Sequence, residues 1–120
     1  MKLEDLPEVA GIDADGFYKF MIFVVTDDND VSRAVLRAIY LGTQGEIYRQ
    51  HYEVANLLYD EVKKSLRLEE LGGGMLESRG NNVEIDVFAA SYDYGPEPER
   101  EMTIEMLRRS YPKSEVRDTT

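Results

Sequence analysis

The chain has 120 residues, with 24 Asp and Glu against 14 Lys and Arg, a formal net charge of −10, 42% hydrophobic and 32% charged residues, no cysteine and one histidine. That length predicts one domain with one core. The composition excludes disulfides, thiolate catalysis and zinc–thiolate sites, and it disfavours nucleic acid, because Arg33, Arg37 and Arg49, or Lys63, Lys64 and Arg67, are too scattered to form a basic stripe.

The opening segment "MKLEDLPEVAGIDADG" carries acids where a signal peptide needs a basic start and an apolar run, so the expected compartment is cytoplasmic. No apolar run approaches the roughly 20 residues that a membrane helix needs. "GFYKFMIFVV" (16–25), rich in aromatic and β-branched residues, predicts a buried strand. "SRAVLRAIYLG" (32–42) alternates Val35, Arg37 and Ile39 against Leu36, Ala38 and Tyr40, which predicts a second strand joined to the first by an acidic hairpin-like loop. Asp27, Asp28 and Asp30 lack the oxygen-ligand spacing of a calcium loop, and so does "DADG"; they read as solvated, and no metal or other cofactor is expected.

From Gly45 to Leu68 the period becomes helical, with Ile47, His51, Val54, Leu58 and Val62 on one stripe. "LGGGM" (71–75) then reads as a tight strand connection, or as backbone that closely approaches something and could form an anion-binding concavity; no Lys-Ser/Thr pair follows to make a P-loop. "NNVEIDVFAASY" predicts a strand with Val83, Ile85, Val87 and Ala89 inward. "DYGPEPE" breaks it, "REMTIEMLRRSYP" (100–112) is a second amphipathic helix with Met102 and Met106 toward the core, and "SEVRDTT" is a last short strand. The order β–β–α–(Gly loop)–β–α–β describes one α/β domain.

The chemistry has few candidates. His51 is the sole imidazole, able to act as nucleophile or base near neutral pH, but its place on the stripe with Ile47 and Val54 also fits a partly buried core residue. Lys19, by strand alternation opposite Tyr18 and Phe20, reads as an ordinary strand lysine facing solvent. In combination, "LPEV", "IDADGFYKFMIFVV", "VLRA", "LGGG", "SYDYGP" and "YPKSEV", in that order from about Leu6 to Val116, resemble the janus/ocnus family.

That resemblance implies a central mixed sheet between two helices and metal-independent removal of phosphate from phosphohistidine in a protein substrate; the chain is expected to be a monomer, and its composition leaves no expectation of a nucleic-acid or membrane partner. It implies His51 as nucleophile or general base, with Lys19 and groups at Tyr52 and Ser91 holding the phosphoryl group. The chain departs from the family in three places. Around the helix start, anchoring on the histidine selects His51, whereas anchoring on "GE" puts Tyr48 in its place and anchoring on "YDEV" puts Ala55 there. Met75 stands where an arginine often follows the glycines, and Asp93 adds a carboxylate beside a site for a dianion, with Arg37 or Arg49 as compensating cations. The competing expectation is a family member that keeps the fold and serves as a binding or assembly protein.

Overall fold

The run Gly16–Thr26 is too apolar to leave either face in water. In the computed structural model, which describes residues 2–63 and 65–119, it is an inner strand of a six-stranded mixed sheet. Lys64, counted among the scattered basic residues, lies outside the described residues.

The strands are β1 (Val9–Ala10), β2 (Gly16–Thr26), β3 (Ser32–Tyr40), β4 (Arg67–Arg79), β5 (Glu84–Phe88) and β6 (Glu115–Asp118). Helix α1 (His51–Val62) connects β3 to β4, and α2 (Arg100–Ser110) connects β5 to β6. The spatial order is β1-β3-β2-β4-β5-β6; both edge strands pair in parallel and the inner pairs are antiparallel. This is the α/β arrangement expected of the sequence, a mixed sheet between two helices.

Strand alternation divides β2 between the two faces. Tyr18, Phe20 and Ile22 pack with Leu76, Ile85 and Val87 beneath Ile104, Met106 and Leu107 of α2. Met21, Phe23 and Val25 pack with Val35 beneath Val54, Ala55, Leu58 and Val62 of α1. The single expected core is therefore two layers sharing one sheet, and each fully buried large side chain contributes roughly 1.5–3 kcal/mol to holding its helix in place.

Three local expectations are corrected. The helix starts at His51, not Gly45, because the Ile47 N–H bonds back to the Leu41 carbonyl (2.7 Å) and Gly45 sits at φ +71°, which ties residues 41–50 to the end of β3 as a loop. Ile47 falls outside the helix and is exposed. The glycines do not form a connection: Gly72, Gly73 and Gly74 lie inside β4, paired with Ile22, Met21 and Phe20, and the register slips by one residue at Leu71. Val83 and Ala89 are exposed because the ladder of β5 spans only Glu84–Phe88.

The acidic loop between β2 and β3 holds itself: Asp27 Oδ1 accepts the N–H groups of Asn29 (2.9 Å) and Val31 (3.0 Å). In "DADG", Asp15 accepts the N–H groups of Gly80 and Asn81 across the β4–β5 turn. Among the described residues no helix is long and apolar enough to cross a membrane.

Candidate functional site

His51 is the first residue of α1. Gln50 before it is extended (φ −98°, ψ 152°), and the Glu53 carboxylate reaches back to accept the Gln50 N–H at 2.7 Å, which fixes where the helix begins. The first-turn amides of His51 and Tyr52 lie where an α-helix offers no intrahelical acceptor, and the macrodipole places partial positive charge there.

The imidazole is turned under the helix and is only 5% exposed. Its Nε2 lies 3.0 Å from the Gly74 carbonyl oxygen. A carbonyl can only accept, so Nε2 carries the proton and the neutral ring keeps its lone pair on Nδ1. Burial is the largest influence on this group and holds its pKa below the usual imidazole value. The bond to Gly74 opposes that shift, the charge of Lys19 adds to it, and Asp93 opposes it. The ring is therefore both part of the packed interface and a titratable group with charged neighbours.

Lys19 projects from β2 on the same face as Met21 and Phe23, toward α1, so the reading of a lysine simply facing solvent does not hold. Its Nζ donates to the Arg49 carbonyl oxygen and sits 5.6 Å from the centre of the Tyr48 ring. An ammonium has three donors, so this contact leaves others to offer. Arg49 pairs with Glu53 (3.2 Å), and its Nε is buried without a hydrogen-bond partner. Tyr48 is 80% exposed in the loop and Ala55 is buried in the α1 core, so neither alternative helix register puts a reactive group at this place. Arg37 cannot serve as the compensating cation: it is buried and clamped to Glu61, near the far end of α1, by bonds of 2.8 and 3.1 Å.

Ser91 and Asp93 reach the same end of α1 by a different route. Beyond Phe88 the chain turns and runs back along β4, where the Ser91 N–H bonds to the Gly73 carbonyl (2.9 Å) and the Gly73 N–H to the Gly95 carbonyl (3.0 Å). Ser91 is buried; its backbone N–H is engaged with Gly73 and its hydroxyl oxygen accepts the Tyr94 N–H at 3.2 Å, which leaves the hydroxyl proton as its donor. Asp93 is exposed and acts on His51 through space. Tyr52 is half exposed at the second helical position, and Met75 stands directly across the ladder from Lys19.

The tertiary fold thus brings Lys19, Arg49, His51, Tyr52 and the 91–95 turn to one end of α1. Among the described residues, surface depressions of about 400–440 Å³ lie around α2 and the turns flanking it. The site is centred on charged and backbone groups at the N-terminal end of α1. Sequence reasoning missed the Gly74 carbonyl as the partner of His51. The signal was the glycine run itself, whose missing side chains let other groups come close.

In a comparison with protein-family models, the Janus/Ocnus family model matches residues 3–115. No curated protein matches the chain.

Proposed function

The chain belongs to the Janus/Ocnus family, and from that premise we propose that it is a cytoplasmic, monomeric protein-histidine phosphatase in which His51 is the nucleophile or general base. The observation that carries this reading is the histidine at the first position of α1, its Nε2 held by Gly74 and a lysine ammonium on the adjoining strand.

Lys19 supplies positive charge for the phosphoryl oxygens, the amide of Tyr52 adds a donor at the positive end of the helix, and the Ser91 hydroxyl adds another. Arg49, whose carbonyl accepts from Lys19, adds positive charge at the same end of α1, in the role that an arginine at position 75 would otherwise fill. As nucleophile, Nδ1 of His51 attacks phosphorus while the P–N bond to the substrate imidazole breaks; that imidazole takes up a proton, and water then releases inorganic phosphate from His51. As base, Nδ1 takes the proton of the water that attacks phosphorus directly. Either route consumes one water and yields histidine and phosphate. Transfer between two imidazoles exchanges similar bonds, so positioning and charge neutralisation supply most of the acceleration.

The test is dephosphorylation of a phosphohistidine protein by the parent and by His51→Ala. A loss of about 10²–10⁴-fold is expected for removal of a positioned acid–base group, and equal rates for the two proteins would overturn the proposal.

A second reading, a binding or assembly protein that retains the fold, is favoured by the burial of His51 together with Met75 and Asp93 at the rim. It predicts no phosphate-dependent chemical-shift changes near Lys19. Saturable shifts there would exclude it.

A further inference from the structure

Behind Gly74, on the opposite face of the sheet from His51, lies an ion pair between a buried Glu97 and a partly exposed Arg100 that the proposed chemistry does not use. Glu97 is 4% exposed, and its carboxylate accepts Arg100 Nε (2.9 Å), Arg100 Nη2 (3.0 Å) and the Thr103 hydroxyl (2.7 Å). The same Arg100 Nη2 donates to the Ala89 carbonyl at 2.6 Å, where the chain leaves β5 with Ala89 at φ +61°. The guanidinium also lies 5.6 Å from the centre of the Phe20 ring.

The glycines translate this pair into the position of a carbonyl. A Cβ on Gly74 would stand 2.8 Å from the Phe88 and Ala89 carbonyl oxygens and 2.9 Å from Arg100 Nη2, and one on Gly72 would stand 2.5 Å from the Pro96 carbonyl oxygen. Residues 88–97 therefore lie directly against the backbone of β4, with no side chain between, tied by the reciprocal bonds of Gly73 to Ser91 and Gly95. On the other side of that backbone, the Gly74 carbonyl holds His51.

We propose that the Glu97–Arg100 pair is a positioning device for His51: by drawing the Ala89 turn and the 91–97 segment onto Gly72–Gly74, it sets the Gly74 carbonyl that fixes the imidazole tautomer and orientation, and it places Ser91 beside the same site. Its consequence for turnover rests on the phosphatase reading, but its effect on the imidazole does not.

The experiment uses the fact that His51 is the only histidine, so the ring ¹⁵N signals report one residue. In the parent at neutral pH the Nε2–H tautomer dominates. Arg100→Lys keeps the charge but loses the forked contact with Glu97 and Ala89, and it is expected to raise the Nδ1–H fraction and lower kcat about tenfold or more with KM little changed, misplacement of about 1 Å costing up to 10²-fold. Thr103→Val removes a single donor to Glu97 and shifts the tautomer in the same direction by less. Val116→Ala, which loosens the same α2-side core without touching Glu97 or Arg100 directly, serves as the control and is expected to leave the ring signals unchanged.

Unchanged ring signals in folded Arg100→Lys would overturn the proposal; if that variant does not fold, unchanged signals in Thr103→Val do so. A change of equal size in Val116→Ala would also overturn it, by showing a general loosening. An inactive parent with the expected tautomer response would instead refute the phosphatase reading and leave the positioning role standing.

Discussion

His51 Nε2 and the Gly74 carbonyl oxygen meet at 3.0 Å, joining the first residue of a helix to the backbone of a strand 23 positions later. This contact decides which ring nitrogen is free, and on the other face of the sheet the same glycine lets the Phe88 and Ala89 carbonyls approach the backbone of β4.

The glycine run gives a graded stability prediction. Gly73→Ala would put a Cβ 1.9 Å from the Phe20 carbonyl oxygen, a backbone atom that cannot move without opening the β2–β4 ladder. A loss of about 3 kcal/mol or more is expected, overpacking of a rigid site being among the large mutational effects. Gly95→Ala meets nothing within 4 Å and is penalised only by its φ of +74°, at about 1 kcal/mol. Chemical denaturation of the two variants checks the order, and equal losses would contradict the packing given for β4.

The pH dependence follows from His51. Its folded pKa lies below the ordinary 6.5 because burial disfavours the charged ring. As pH falls through 6.5 the unfolded chain takes up the proton first, so the stability contributed by His51 is complete above 6.5 and declines below it until the folded pKa is reached. His51→Gln flattens that part of the stability–pH curve. An acid limb of activity, where His51 must be neutral, lies at lower pH than for a free imidazole.

The neighbours of His51 shift that titration in opposite senses. Lys19→Gln removes a positive charge and raises the His51 pKa, whereas Asp93→Asn removes a negative one and lowers it. Titration of the single imidazole by proton NMR reads both, and movement in one direction for both variants would show that the two charges do not face His51. Under the proposed phosphatase activity, Lys19→Gln is also expected to lower kcat/KM for phosphohistidine, by roughly 10²-fold for loss of one charge-stabilising donor.

Arg37 and Glu61 pin α1 to β3 through a buried guanidinium. Glu61→Gln leaves that cation underpaired and is expected to cost about 2–3 kcal/mol, toward the low end for breaking a buried pair because Glu61 is 30% exposed. Adding Arg37→Leu recovers much of the loss. A double variant no more stable than Glu61→Gln would contradict this account.

Much of the sheet was legible because alternation and apolar runs report burial directly. The segments 16–25 and 32–42 became β2 and β3, and Val54, Leu58 and Val62 became the inner stripe of α1. The start of α1 was misread because Ile47 continues the period of four, while a long-range bond from its N–H to Leu41 overrides it. The glycines read equally as a connection or as a place of close backbone approach, because both require the same residue, and only the strand register selects the second.

The sequence alone determined one α/β domain, and the ordered motifs determined the family, whose resemblance implied a mixed sheet between two helices, since periodicity and motif order are properties of the chain itself. It did not determine that Lys19 faces α1, that Arg37 belongs to Glu61, or that Gly74 holds His51 while Glu97 and Arg100 brace the other side. Those relations join residues far apart in the chain, and they are decided by strand register, by the bulge at Leu71 and by the space that missing side chains leave open.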